Sequence, residues 1–305
     1  MTETITENYI PKARADFVKF GVYDEISAIM NSGIHFPILV TGPTGAGKTM
    51  MIQQIHADLK KPMLRVNITI ESDEDSLMGG FRLAEGATYF SKGPVIQAME
   101  MGATLLLDEI DLGMPTKLMC LQSVLEGEGY LIKRTGEWIT PKPGFNVIAT
   151  ANTKGLGDET GIYIGTQILN AAMMDRFPIV CEAPYPDRET ELNIVNKNCD
   201  MLGIDDKLLP DNYREFLVDW AGQTRDTDEN TLGLEHCIST RRLVDIIAAY
   251  KIFNNLDNAV RLCLNKYDEA HSKAFHELYR TMKPTDERDS ATLGGDYDED
   301  EIELF

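Results

Sequence analysis

The sequence of 305 residues contains no apolar run approaching the roughly twenty residues that a membrane-spanning helix needs, so no such helix is expected. Its opening stretch, MTETITENYIPKARADF, has no apolar segment either, and it is not expected to act as a secretory leader. Cysteine is scarce and scattered. Cys120, Cys181, Cys199, Cys237 and Cys263 form no C-x-x-C pair, which argues against a cysteine metal site and reads as reduced core thiols in a cytoplasmic protein. Histidine is equally sparse. Only His271 and His276 lie near each other, and their spacing suits no single helix face, so no catalytic metal-ligand cluster is expected in this chain. Basic residues are in deficit: 29 Lys and Arg stand against 49 Asp and Glu, a formal charge of −20. Such a balance argues against a sequence-independent grip on nucleic acid, which needs clustered cations.

What the sequence does have is short apolar strands alternating with helical periodicity. Residues 16–32 carry Phe17, Phe20, Ile26, Ile29 and Met30 at helical spacing. The run ending at Thr41, then Met63–Ile68, Thr104–Asp108 and Phe145–Thr150 read as buried strands. Residues 48–60, 94–101 and 115–126 read as helices between them, and 129–140 as a hairpin turning near Thr135-Gly136. Residues 69–93 show no clear period. This alternation predicts an α/β fold, a parallel sheet flanked by helices on both faces. After Tyr185-Pro186 only helical patterns remain, over 187–200, 212–222 and 239–280. The expected organisation is an arm and helix over 1–34, a nucleotide-binding domain over 35–184, a smaller all-helical domain over 185–283, and an acidic tail over 284–305 that composition predicts to be disordered.

The chemistry is concentrated in two segments. Gly42-Pro43-Thr44-Gly45-Ala46-Gly47-Lys48-Thr49 satisfies G-x-x-x-x-G-K-[ST] between a predicted strand and a predicted helix, with Met50 following in the first turn. Glycines let backbone N–H groups turn inward around phosphate oxygens, and the helix N-terminus adds partial positive charge. Lys48 is expected to reach the β- and γ-phosphates of ATP, and the Thr49 hydroxyl to ligate Mg²⁺. Thr104-Leu-Leu-Leu-Asp108-Glu109 places two acids at the C-terminal edge of a strand, where ligands of open α/β sheets bind. Asp108 is expected to hold the Mg²⁺ through water, and Glu109 to orient and polarise the attacking water. Asp111 reads either as structural or as a cap. Asn152, just past the fourth strand, Phe145–Thr150, is placed to help orient the water.

This order of motifs resembles the AAA+ ATPases of the MoxR-like group, and within it the CobS-like ATPase subunits of aerobic cobaltochelatase. The resemblance rests on Ala149-Thr-Ala-Asn-Thr-Lys-Gly-Leu-Gly-Asp158, Thr160-Gly-Ile-Tyr, Gly165-Thr-Gln-Ile-Leu-Asn170 and Met174-Asp-Arg-Phe177, with Ser76-Leu-Met-Gly-Gly80 and Val124-Leu-Glu-Gly-Glu-Gly-Tyr-Leu. It covers residues 35–185 well and is thin beyond them. It implies a P-loop sheet with a helical lid. It places Asn152 at the sensor-1 position and Arg176 at the arginine finger, which acts on the ATP of a neighbouring subunit. Ser239-Thr-Arg241-Arg242 resembles the sensor-2 segment, with Thr240 where the group has proline; the two adjacent arginines leave Arg241, which the alignment favours, and Arg242 as alternatives for the phosphate-contacting place.

The resemblance further implies a homo-oligomer, a hexameric ring, working on a client or a von Willebrand A-type partner protein. Metal insertion into a tetrapyrrole and activation of other enzymes are both found in the group. A DNA translocase or loader is the competing class, and the acidic composition weighs against it. A non-hydrolysing scaffold is the third, and Glu109 and Arg176 weigh against that. Residues 76–96 and the hairpin 129–141 correspond to family inserts, which leaves Lys133 and Arg134 as either client contacts or a solvated hairpin tip.

Overall fold

The computed structural model describes residues 8–84, 86–155, 157, 163, 165–205, 208–225 and 236–283. These form two compact units, one made of the described residues up to 190 together with 239–241, the other of the described residues within 191–238 and 242–283. The acidic tail and most of the Gly155–Gly165 segment lie outside the described residues. Among the described residues no helix is long and apolar enough to cross a membrane.

The first unit is built on strands β1 (Ile38–Thr41), β2 (Met63–Asn67), β5 (Thr104–Asp108), β8 (Asn146–Ala151) and β9 (Ile179–Glu182). Their order across the sheet is β2-β5-β8-β1-β9, and every neighbouring pair is parallel. The sequence explains the two-sided burial. Ile38 and Val40 face a layer holding Ile26, Met30, Ile52 and Ile55, while Leu39 points to the opposite layer with Leu105, Leu107, Val147 and Ala149. Successive strand residues alternate faces, so each run feeds two cores. Each fully buried aliphatic chain contributes about 1.5–3 kcal/mol by leaving water. Helices α1 (Tyr23–Ser32), α2 (Lys48–Leu59) and α3 (Pro94–Met101) accompany the sheet.

Two local expectations are corrected, and two elements went unread in the sequence. The helix expected over 16–32 begins only at Tyr23, because Gly21 takes a left-handed φ of 57° and breaks the periodicity. The helix expected over 115–126 is three short turns, Pro115–Leu118, Met119–Leu121 and Gln122–Leu125, the middle one of 3₁₀ type. That tightening brings Leu118, Leu121 and Val124, three apart, into one core. The aperiodic stretch 69–93 contains a hairpin, β3 (Gly79–Ala84) paired with β4 (Ala87–Lys92), whose largely exposed faces leave no apolar alternation to read. Strand β9 escaped sequence reading because only Cys181 of its four residues is buried. The second hairpin is present as β6 (Tyr130–Ile132) and β7 (Glu137–Ile139), with Gly136 in a left-handed turn.

The second unit is helical: α4 (Arg188–Leu202, most of whose length lies here), α5 (Tyr213–Arg225), α6 (Thr240–Phe253, likewise), α7 (Leu256–Leu264) and α8 (Glu269–Met282). Its core centres on Trp220, Tyr213, Phe275 and Tyr279. The Trp220 indole donates to the Phe275 carbonyl at 3.3 Å, and the Tyr213 and Tyr279 hydroxyls share a 2.7 Å hydrogen bond. Trp220→Ala is expected to lower stability by about 3–5 kcal/mol through the cavity it leaves, measured as a lower denaturant midpoint with an unchanged slope.

Candidate functional site

The site forms where β1, β5 and β8 end side by side. Because β8 lies between β5 and β1, the residues following all three strands converge at one sheet edge. Gly42 leaves β1 with a φ of 150°, and a Cβ there would stand 2.1 Å from the Ala183 carbonyl oxygen, so only glycine fits. Gly45 is also left-handed, and its Cβ would meet the Ser239 hydroxyl at 2.6 Å. The loop then opens α2 at Lys48, whose free backbone N–H groups and dipole favour an anion.

Lys48 is nearly buried, and its Nζ lies inside the loop. It donates to the carbonyls of Gly42 at 2.6 Å and Pro43 at 3.0 Å, and to Asn152 Oδ1 at 3.1 Å. Burial pushes its pKa down to about 8, against the upward pull of Asp111, Asp108 and Glu109, with Arg241 adding to the lowering. The Thr44 hydroxyl also donates to Asn152 Oδ1, at 3.2 Å, so that amide oxygen gathers two loop groups. Tyr185 donates to the Thr44 carbonyl at 2.9 Å, and the Thr44 N–H reaches the Tyr163 hydroxyl at 3.4 Å. Ala46 N–H closes the loop onto the Pro43 carbonyl at 3.4 Å, while Met50 packs against the apolar layer around α1 and α2.

Asp108 is buried at the end of β5 and is held on both oxygens. Its Oδ1 accepts from the hydroxyls of Thr49 at 2.9 Å and Thr150 at 2.5 Å, and its Oδ2 contacts Arg65 Nη2 at 2.5 Å. Glu109 follows with φ 58° and ψ 49°, a left-handed conformation rare for a non-glycine residue. Its N–H donates to Thr150 Oγ1 at 2.9 Å, and its side chain is exposed at the sheet edge. Backbone strain of this kind, worth about 1–3 kcal/mol, persists where surrounding contacts impose it.

Asp111 emerges as a structural anchor. It is fully buried, and its Oδ2 accepts from the N–H groups of Asn152 at 2.9 Å and Thr153 at 3.0 Å, and from the Thr153 hydroxyl at 3.2 Å. Its Oδ1 has no partner among the described residues. Sequence reasoning missed Arg65 and Thr150. Arg65 had a signal, a cation inside an otherwise apolar strand, whereas Thr150 looked like any β-branched strand residue.

The structure gathers Lys48, Thr49, Asp108 and Asn152 into one constellation, with Glu109 at its edge. The Arg241 N–H donates to the Gly45 carbonyl at 3.3 Å, which sets that residue beside the loop, while the Arg242 guanidinium pairs with Asp245 at 3.2 Å. Arg176 is not part of the constellation. Its guanidinium is bound by Glu126, at 2.8 Å from Nε and 2.6 Å from Nη2, and donates to the Ala172 carbonyl.

The family model for the AAA domain of the dynein-related subfamily matches residues 37–177. Aerobic cobaltochelatase subunit CobS of Sinorhizobium sp is 34% identical over 192 residues, covering 61% of this chain and 58% of that protein. The match therefore spans little more than half the length of that relative. An uncharacterised protein of Staphylococcus epidermidis is 32% identical over 231 residues, covering 74% of this chain and 81% of its own. Among solved structures, the RuvB Holliday junction branch migration motor of Thermotoga maritima superposes with a TM-score of 0.51 at 15% identity, over 93% of this chain and 77% of that one. NtrX from Brucella abortus in complex with ADP gives 0.53 at 17% identity, over 84% and 53%. At such identities these two structures attest to the fold alone.

Two outcomes follow from the geometry. Folding depresses the Lys48 pKa to about 8, so its charge opposes folding fully below pH 8, and the cost fades toward the unfolded lysine value. Phosphate binding has the opposite requirement, since it needs the ammonium. ATP affinity, measured by titration calorimetry, should be near level between about pH 7 and 8 and fall above that by up to about tenfold per pH unit, whereas Lys48→Arg should show no such fall. Separately, Asp111→Ala leaves two partly buried N–H donors without their acceptor and should cost about 1–3 kcal/mol in chemical denaturation.

Proposed function

The chain belongs to the AAA ATPases of the dynein-related subfamily and hydrolyses ATP, and from that premise we propose that it is a Mg-ATP-driven, ring-forming motor that remodels a partner protein. The observation that carries the reading is the meeting of Thr49 Oγ1 and Asp108 Oδ1 at 2.9 Å, with the Lys48 ammonium held inside the adjoining loop. A hydroxyl and a carboxylate side by side are hard oxygen donors of the kind magnesium takes. In this reading Thr49 and Asp108 hold the metal ion, which when bound neutralises charge on the phosphates.

Gly42–Thr49 cradle the triphosphate with backbone N–H groups, and Lys48 exchanges its carbonyl partners for phosphate oxygens. Glu109, aimed by its left-handed backbone, accepts a proton from the attacking water and orients it. Asn152, fixed from behind by Asp111, lines up with Lys48 to position water and γ-phosphate. Arg241 contacts the nucleotide from beside Gly45. Arg176 serves the ATP of the adjacent subunit in a homo-oligomer, a hexameric ring. Residues 35–184 bind and turn over nucleotide and 185–283 form the lid, with the arm 1–34 before them and the tail 284–305 after.

The relation to a protein named aerobic cobaltochelatase subunit CobS, at 34% identity, supports a metal-insertion assembly; we place any chelation chemistry in a partner, and propose a cytoplasmic complex that includes a von Willebrand A-type protein. The reading is tested by variants. Lys48→Ala should abolish nucleotide binding. Glu109→Gln should keep binding while slowing turnover by about 10²–10⁴-fold, and should retain the client in a pull-down. Arg176→Ala should slow turnover by about 10³-fold or more without changing nucleotide affinity. Mixing it with Lys48→Ala subunits should restore activity, because each lends what the other lacks. Failure of that mixture to recover activity would refute action in trans.

A further inference from the structure

We infer that Arg65 is a built-in counter-cation of the metal-binding carboxylate, which competes with Mg²⁺ for Asp108 and thereby sets how much Mg²⁺ the site needs before it holds nucleotide. The inference rests on the nucleotide-site reading above and adds to it a residue for which that reading has no role. Its basis is geometric. In the β2–β5 ladder Asn67 lies opposite Asp108, and Arg65 lies two residues back on the same face. Two residues of strand span about 6.6 Å, a distance that an arginine side chain covers. The guanidinium uses that reach, and its Nη2 stands 2.5 Å from Asp108 Oδ2.

The opposite oxygen is already committed. Oδ1 accepts from Thr49 at 2.9 Å and from Thr150 at 2.5 Å. Any cation drawn to this carboxylate therefore meets a permanent positive charge on Oδ2 and two hydroxyl donors on Oδ1. The contact is one-sided in burial: the Asp108 side chain is 5% exposed and that of Arg65 43%. The carboxylate cannot turn away to water, but the guanidinium can. An exchange of cations at Asp108 thus moves Arg65 and leaves β5 in place. Thr49, one of the two hydroxyl donors, is also the other expected metal ligand, so both groups that would receive Mg²⁺ are preorganised around the charge that Arg65 balances.

A purely structural pair makes a different prediction. It would lower stability when broken and leave the Mg²⁺ requirement unchanged. The experiment titrates Mg²⁺ against a fluorescent ATP analogue at fixed concentration, using the full chain. Wild type is compared with Arg65→Met, Arg65→Gln and Arg65→Lys, and far-ultraviolet circular dichroism and melting confirm the fold of each. Loss of the cation should lower the half-saturating Mg²⁺ by about tenfold for Met and Gln, a modest figure because Arg65 is partly solvated. Arg65→Lys keeps a charge and should stay within about twofold of wild type. An unchanged or higher Mg²⁺ requirement in the variants, with nucleotide still bound, overturns the inference. If Arg65→Met fails to fold, Arg65→Gln alone against Arg65→Lys decides it, and failure of both neutral variants to fold makes the pair structural and also overturns it. If wild type binds no nucleotide at any Mg²⁺ concentration, it is the site reading that falls.

Discussion

The carboxylate of Asp108 is the junction on which the first unit turns. It receives a hydroxyl from the first turn of α2, a hydroxyl from β8 and a guanidinium from β2. A single buried charge therefore joins the phosphate loop to three of the five strands. Such a group is expensive to bury alone, and its partners are what make its position tolerable. The same partners fix its direction. Reactions at phosphorus depend on positioning more than on covalent chemistry, so on the proposed reading a carboxylate held from three sides is already set in place for them.

A second buried carboxylate organises the other half of the site. Asp111 binds the backbone that carries Asn152, and Asn152 in turn accepts from Lys48 and Thr44. The loop after β1 and the loop after β8 are thereby linked through side chains. The electrostatic balance at Lys48 reflects this arrangement: burial favours the neutral amine, while Asp111, Asp108 and Glu109 favour the ammonium. A lysine poised in this way gains most from an anion that brings charge without water. The left-handed Glu109 belongs to the same logic, since its strained backbone is held through Thr150, whose hydroxyl also serves Asp108.

Much of this was legible in the sequence because the chemistry of a phosphate loop is local. Gly42 to Thr49 declare themselves by spacing, and Thr104–Asp108 by an apolar run that ends in acids. The strands around them were legible for the same reason, being buried on both faces. What stayed hidden had no local signature. Strand β9 buries one residue in four, and the β3–β4 hairpin is largely exposed, so neither shows a hydrophobic period. The break in 115–126 follows from packing Leu118, Leu121 and Val124 together, a demand that the tertiary core makes and helix propensity does not express. Thr150 looked like valine until its hydroxyl was seen on Asp108. Asp111 could have been a cap. Only the register of β5 against β8 shows which loop it holds.

On the proposed reading, Arg176 is the residue through which one subunit acts on the next. Its side chain is occupied by Glu126 and by the Ala172 carbonyl. An arginine serving only stability there would gain little, since a partly exposed ion pair is worth about 1 kcal/mol or less. An arginine destined for a neighbour's phosphate gains much more from the same pair. Glu126 restricts the rotamers of a long side chain before it meets its target, and so lowers the entropy lost on engagement. The price is that Glu126 must be outcompeted, and a triphosphate bearing several charges can do so where a diphosphate does so less well. On the proposed reading, the pairing that looks like ordinary surface electrostatics makes the response of one subunit depend on what its neighbour has bound.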